Sequence, residues 1–145
     1  MAQSLAYYYD VLKITGNIQK SLAQEIEQIV YWFFNETGLN LNAMRLKVEV
    51  SLSNQDNKGE CYSPRRDKHD IWLNKACGLL EMRETLLHEL WHVHQIWNNR
   101  LIVLQGRKFF CNEDVSGIIY LNQPHEIEAR DMARKLFVRY MQLDK

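Results

Sequence analysis

The feature that most constrains this chain is the five-residue stretch His88-Glu89-Leu90-Trp91-His92, inside an apolar segment that predicts a helix over residues 79–98. On a helix, residues four apart lie about 40° from each other around the axis, so His88 and His92 share one face. Two imidazoles on one face can bind one metal ion, and Glu89, about 100° from His88, can reach a water beside that ion. The stretch therefore predicts a metal site on a helix.

Bare matches to this spacing occur by chance, so the surrounding residues decide how it is interpreted. The residues around it on the helix are Thr85, Leu86, Leu87, Leu90, Val93, Ile96 and Trp97. A helix that is apolar on most of its circumference is buried, and burying histidine and glutamate side chains without partners costs several kcal/mol. Zinc would satisfy them, since it takes neutral imidazole and carboxylate ligands. The alternative is a pair of histidines hydrogen-bonded within the core, with no metal.

The composition indicates one soluble globular domain over residues 1–145. Hydrophobic residues make up 46% of the chain and charged residues 25%, which is ordinary for such a domain. Lysine plus arginine equals aspartate plus glutamate at 18 each, so no basic excess indicates a nucleic-acid or membrane partner. The apolar runs fall short of the ~20 residues that a membrane span needs, and the first residues do not resemble a secretory signal.

The cysteines favour a cytoplasmic location. Cys61, Cys77 and Cys111 are odd in number and widely spaced, so they form neither a metal-binding pair motif nor a disulfide framework. Free thiols in a reducing compartment are the expected state.

The first half of the chain predicts one helix and three strands. Apolar residues at helical spacing predict an amphipathic helix from Ile18 to Thr37-Gly38, where glycine ends it. Strict alternation over residues 44–52 predicts a strand with one buried face. Further strands are expected within residues 60–63 and 69–74, with a turn at residues 64–68. His69 and Asp70 are expected to be an exposed pair at a strand end.

The second half predicts two short extended segments and a helix. Residues 101–106 and 116–121 are expected to be extended, and Pro124 is placed to begin a final helix over about residues 125–142. Its apolar face is Ala129, Ala133, Leu136, Phe137 and Tyr140. Residues 3–14 are too irregular to assign.

A zinc site needs a third protein ligand, and the final helix offers three candidates in one turn. At about 100° per residue, Glu126 falls inside the apolar stripe and His125 at its margin. Glu128 lies more than about 100° from the centre of the stripe, which favours a surface position. Glu126 is the preferred ligand, with Glu128 as the alternative. An acid stabilised only by the helix dipole is a further interpretation.

The H-E-x-x-H stretch followed at a distance by Glu126-Ile127-Glu128-Ala129 resembles the gluzincin branch of the zinc metallopeptidases. There, the glutamate three positions before a small residue is the third zinc ligand, which implies Glu126. Residues 124–133 also look like the second motif of small bacterial and phage zincin-like proteins related to the ImmA/IrrE group. The likeness covers two motifs and the order of elements.

The chain departs from this pattern at one position. Many gluzincins carry an aspartate four residues after the ligand glutamate, where it orients a zinc-binding histidine; here that residue is Arg130, followed by Asp131. Asp131 or Gln95 is therefore expected to bond a ligand histidine. SprT-like zinc proteins are a second comparison, but they take a histidine ligand soon after the motif helix, where this chain has Gln105.

The resemblance implies a small α+β, zincin-like domain. An N-terminal helix and a short, mainly antiparallel sheet would pack on the H-E-x-x-H helix, and the C-terminal helix would carry the third ligand. The expected function is zinc-dependent hydrolysis of peptide bonds, with Zn²⁺ held by His88, His92 and Glu126 and with Glu89 as general base.

A peptide or protein substrate would lie extended along an edge strand, for which residues 69–74 are the candidate. Tyr120 and His94 are candidates for a second donor to the developing oxyanion. Two other interpretations stay open: a non-catalytic zinc-binding interaction domain on a peptidase-like fold, and a hydrolase of another amide or ester. The presence of Glu89 argues against the non-catalytic interaction domain, because a structural zinc site needs no general base. The substrate and the oligomeric state are not identified by the sequence.

Overall fold

The computed structural model describes residues 11–143, which form three helices and two sheets. The helices are α1 (Lys20–Thr37), α2 (Leu79–Trp97) and α3 (Pro124–Met141). The strands are β1 (Leu12–Thr15), β2 (Arg45–Ser51), β3 (Gly59–Arg65), β4 (Lys68–Asn74), β5 (Leu101–Leu104), β6 (Arg107–Phe110) and β7 (Glu113–Asp114). The predicted α+β class is confirmed. Residues 3–10 of the unassigned N-terminal segment lie outside the described part.

The main sheet has the strand order β1-β2-β4-β3. β2 pairs parallel with β1 and β4, whereas β3 and β4 form an antiparallel hairpin. β5, β6 and β7 form a second, antiparallel sheet. Three of the five strand pairings in the described chain are therefore antiparallel. The alternation predicted for β2 is confirmed, because Leu46, Val48 and Val50 are all buried on one face.

The predicted edge strand at residues 69–74 is wrong. β4 lies between β2 and β3, and the two outer strands of the main sheet are β1 and β3. The reason is pairing: β4 bonds β2 on one side and β3 on the other, and His69, Ile71 and Leu73 are buried. His69 is consequently buried rather than exposed, and its Nδ1 lies 2.7 Å from the hydroxyl oxygen of Ser63 on β3.

The main core joins the three helices to one face of the main sheet. The apolar stripe of α1 supplies Ile26, Ile29, Val30, Phe33 and Phe34. Gly38 ends α1 with a left-handed φ of 73°, the conformation that glycine adopts most easily. Glu25 and Arg83 form an ion pair of 2.7 Å between α1 and α2. The helix that carries the two histidines is thus attached to α1.

The β3–β4 turn is attached to the end of α2. The guanidinium of Arg66 donates from Nε to the carbonyl oxygen of Trp97 over 2.6 Å and stacks 4.3 Å from the centre of its indole ring. A cation at a helix C-terminus satisfies a free carbonyl group and interacts favourably with the helix dipole.

The connection from α2 to α3 differs from the prediction. The extended segment predicted near residues 101–106 corresponds to β5, but the one predicted at residues 116–121 is wrong. This stretch forms a turn and enters a 3-10 helix at Tyr120–Asn122. Its apolar side chains are exposed, so no sheet face holds them. In residues 11–143, no helix has both the length and the apolar character to cross a membrane.

Candidate metal centre

His88, His92 and Glu126 converge where α2 meets the first turn of α3. Nε2 of His88 lies 3.0 Å from Oε1 of Glu126, and Nε2 of His92 lies 3.2 Å from the same oxygen. One ligand atom from each residue lies within 4.8 Å of the others. Two imidazole nitrogens and a carboxylate oxygen therefore face one point, as the sequence predicts.

Local sequence explains this placement. The four-residue spacing sets both imidazoles on one face of α2, where their ring centres are 4.9 Å apart. Pro124 occupies the start of α3, which puts Glu126 in its first turn. Ala129 and Ala133 follow Glu126 on the buried face and are almost completely inaccessible. Small side chains there allow α3 to approach the rest of the core closely.

The electrostatics of the group favour a cation. Burial raises the pKa of Glu126, but hydrogen bonds and charge from His88 and His92 outweigh it and lower the pKa well below its usual value. Burial lowers the pKa of His92, and Glu126 reverses that shift and raises it. The carboxylate is therefore ionised in the interior and requires positive charge beside it, from protons on the imidazoles or from a metal. The donor set is one that zinc accepts.

Glu89 lies beside this group and is buried, with 6% of its surface exposed. Burial raises the pKa of its carboxyl, while the charges of His92 and His88 act in the opposite direction. A carboxyl group with a raised pKa next to a metal-binding cluster suits general-base chemistry. The edge strand passes close by, because a methyl group built on Gly59 of β3 would stand 3.5 Å from Cγ of Glu89.

Gln95, rather than Asp131, is the second partner of His92. Oε1 of Gln95 lies 2.9 Å from Nδ1 of His92, and Gln95 is completely buried. Asp131 is exposed on α3. One of the two candidates from the sequence is thus in contact with His92.

Glu128 is only partly exposed, contrary to the expected surface position. Arg100 donates to it from Nη1 over 2.8 Å and from Nη2 over 2.5 Å. Trp91 Nε1 and Gln95 Nε2 donate to Oε1 over 2.7 Å and 3.1 Å. Glu128 is therefore bonded to α2 and to the residue before β5, while Glu126 faces the histidines. The periodicity of α3 does not reveal this role, because Arg100 and Trp91 approach from outside α3.

Of the two oxyanion-donor candidates, Tyr120 is the one close to Glu126. Burial raises the pKa of its phenol to about 12, and the charge of Glu126 adds to the shift. His94 instead stacks on Trp91, with ring centres 4.2 Å apart, and its Nε2 lies 3.4 Å from Nδ2 of Asn98.

His125, the marginal ligand candidate, is buried next to Glu126. Its Nε2 lies 3.6 Å from Oε2 of Glu126, and neither ring nitrogen has a hydrogen-bond partner among the described residues. Burial lowers its pKa to about 4, so the ring is neutral near pH 7. It is not one of the three residues whose ligand atoms converge.

Comparison with protein-family models, curated proteins and solved structures finds no match for this chain. The case for a function therefore depends on the geometry of the centre and on the motifs that form it.

Proposed function

We propose that the protein is a zinc-dependent peptidase. The observation that carries the proposal is the convergence of His88, His92 and Glu126 with a buried acid, Glu89, in the next position to His88. A purely structural zinc site is usually closed by four protein ligands, whereas a catalytic site has three and a position for water or substrate. Three converging side chains and an adjacent carboxyl group suit the catalytic type.

The three ligands would hold Zn²⁺, which when bound polarises a carbonyl group and lowers the pKa of its water to about 7. Glu89 accepts a proton from the attacking water and delivers it to the leaving amine. Burial supports this role, because it raises the pKa of the carboxyl toward the range in which an acid can both take and return a proton.

Tyr120 is the proposed second donor to the oxyanion. Its hydroxyl group keeps its proton at neutral pH, because burial and the charge of Glu126 raise its pKa to about 12. A donor aimed at a developing negative charge stabilises the transition state.

The substrate is proposed to add to β3 as a further strand, because β3 is one of the two outer strands of the main sheet and passes beside Glu89. A peptide there would bond the backbone groups on the outer side of β3 and place a carbonyl group near the centre. The free thiols of Cys61, Cys77 and Cys111 suit a cytoplasmic location, which is part of the proposal.

The test compares wild type with Glu89→Gln. Zinc is measured by elemental analysis, and cleavage is measured on casein and a peptide library. Wild type is expected to bind zinc and cleave, and Glu89→Gln to keep the metal and lose at least about 10²-fold in rate, the usual contribution of acid–base catalysis. Zinc without cleavage by either would favour an interaction domain. Cleavage that survives Glu89→Gln would overturn the mechanism.

A further inference from the structure

The side chain of Gln95 has a partner at each polar end. It lies on α2 three residues after His92, with no exposed surface. Oε1 is 2.9 Å from Nδ1 of His92. Nε2 is 3.0 Å from the carbonyl oxygen of His125 and 3.1 Å from Oε1 of Glu128.

These partners determine which way the amide points. A backbone carbonyl only accepts hydrogen bonds, and an ionised carboxylate does the same. Arg100 donates to both oxygens of Glu128 and Trp91 donates to one of them, so both oxygens act as acceptors. The amino group of Gln95 must therefore face Glu128 and the His125 carbonyl, because the opposite orientation would place oxygen against oxygen twice. This leaves only the amide oxygen to face His92.

An amide oxygen can only accept, so Nδ1 of His92 must carry the hydrogen. The other ring nitrogen, Nε2, is the atom that faces Glu126 and the metal position. A histidine binds a metal through the nitrogen that has no hydrogen, and the bond at the second nitrogen sets which one that is.

Glu128 is itself fixed by Arg100 and Trp91, which donate three hydrogen bonds to its two oxygens. Arg100 follows α2 and contacts Glu128 on α3, and Gln95 lies between Glu128 and His92. A continuous series of contacts thus runs from Arg100 through Glu128 and Gln95 to His92.

We propose that Gln95 is a positioning residue for the metal: held by Glu128 and the carbonyl of His125, it keeps the hydrogen of His92 on Nδ1 and presents Nε2 to the cation. The inference depends on the proposed metal site and extends it. A carboxylate at position 95 could accept the same hydrogen, but it would lie against Glu128 and be repelled. The amide avoids that repulsion and still accepts the bond.

The first test is the zinc affinity of the full chain, measured by competition with a chromophoric chelator. Gln95→Met keeps the volume of the side chain but removes both its acceptor and its donor. The expected loss in zinc affinity is roughly 10- to 100-fold, the usual effect of removing a partner of a ligand histidine. The visible spectrum of Co²⁺-loaded protein is expected to change as the imidazole loses its fixed orientation. Gln28→Met, on the exposed side of α1, is the matched control and should change neither reading.

The second test asks whether Gln95 acts through Glu128. Gln95→Glu is expected to lower zinc affinity, because it places two carboxylates in contact. Adding Glu128→Gln restores a donor beside the new carboxylate, so the double variant should recover part of the loss. Additive losses would overturn the inference, since coupling between contacting residues is the signature of a shared network. If Gln95→Met does not fold, this comparison still tests the positioning role of Gln95.

Zinc binding is measured without substrate, so the two proposals fail in different ways. A wild-type protein that binds no zinc would overturn both the proposed function and this inference. Equal zinc affinities of wild type and folded Gln95→Met would overturn the positioning role of Gln95 but not the proposed function. Urea unfolding of the metal-free proteins separates a loss of fold from a loss of metal affinity.

Discussion

A methyl group built on Gly59 would stand 2.7 Å from Cγ2 of Thr85. Gly59 begins β3, and Thr85 lies on α2 one turn before Glu89. The same methyl group would stand 3.0 Å from the carbonyl oxygen of Trp72, so the backbone of β4 closes the other side. The edge strand and the motif helix therefore meet without room for a side chain. This contact sets how near β3 lies to the buried acid.

Gly59→Ala is expected to destabilise the protein by about 1–3 kcal/mol, the usual cost of inserting a methyl group into a packed site. Urea unfolding measures the loss. Thr85→Ser removes Cγ2, so the double variant should recover part of it. Thr85→Ser alone is the control. If Gly59→Ala lowers the free energy of unfolding equally in the presence and absence of Thr85→Ser, the contact is contradicted.

Metal removal and ligand substitution give a second prediction. Wild type is expected to bind one zinc ion per chain, measured by elemental analysis after dialysis. His92→Ala and Glu126→Ala should each abolish tight binding, because two protein ligands do not complete a zinc site. Glu113→Gln, at an exposed position of β7, is the control and should bind zinc as wild type does. Full zinc content in Glu126→Ala would refute the ligand set.

The pKa of Glu128 gives a prediction about acid stability. Hydrogen bonds lower it from the ordinary 4.5 to about 2, so the folded state holds this proton more weakly than the unfolded state. The stability that ionised Glu128 contributes is fully present above pH 4.5 and is lost as the pH falls toward about 2. Glu128→Gln does not titrate. The difference in unfolding free energy between metal-free wild type and Glu128→Gln should therefore shrink from about pH 5 to about pH 3. A constant difference would contradict the prediction.

The three cysteines are expected to react at different rates. Cys111 is exposed, whereas burial, followed by the charge of Glu89, raises the pKa of Cys61 to about 12. The thiolate is the reactive form, so Cys61 should resist alkylation. Iodoacetamide at mildly alkaline pH should label Cys111 first and Cys61 last, as read by peptide mass spectrometry. In urea the difference should disappear; equal rates in the native protein would show that Cys61 is accessible.

The convergence of His88, His92 and Glu126 could be predicted because helical periodicity is local. The spacing of His88 and His92 places both on one face of α2, and the wheel of α3 places Glu126 on its buried side. Both helices form close to their predicted bounds. The wheel did not reveal the role of Glu128, whose environment is made by residues from another helix and the loop after it.

The sheet edge could not be predicted because strand order depends on contacts between distant segments. β4 and β3 are neighbouring hairpin strands, and only the parallel pairing of β4 with β2 decides which one is outermost. Ile118 to Leu121 looks like a strand by composition, but strand formation also needs a partner edge. In the structure these residues form a turn and a 3-10 helix instead.

A long connection joins the helices that carry His92 and Glu126, since these residues stand 34 positions apart in sequence. A cation bound to both would act as a removable cross-link that closes this loop, and it would restrict the unfolded chain as a disulfide does. Chelation would then loosen the attachment of α3 and of the small sheet between the helices. The availability of the ion would then determine the lifetime of the folded state as well as the activity.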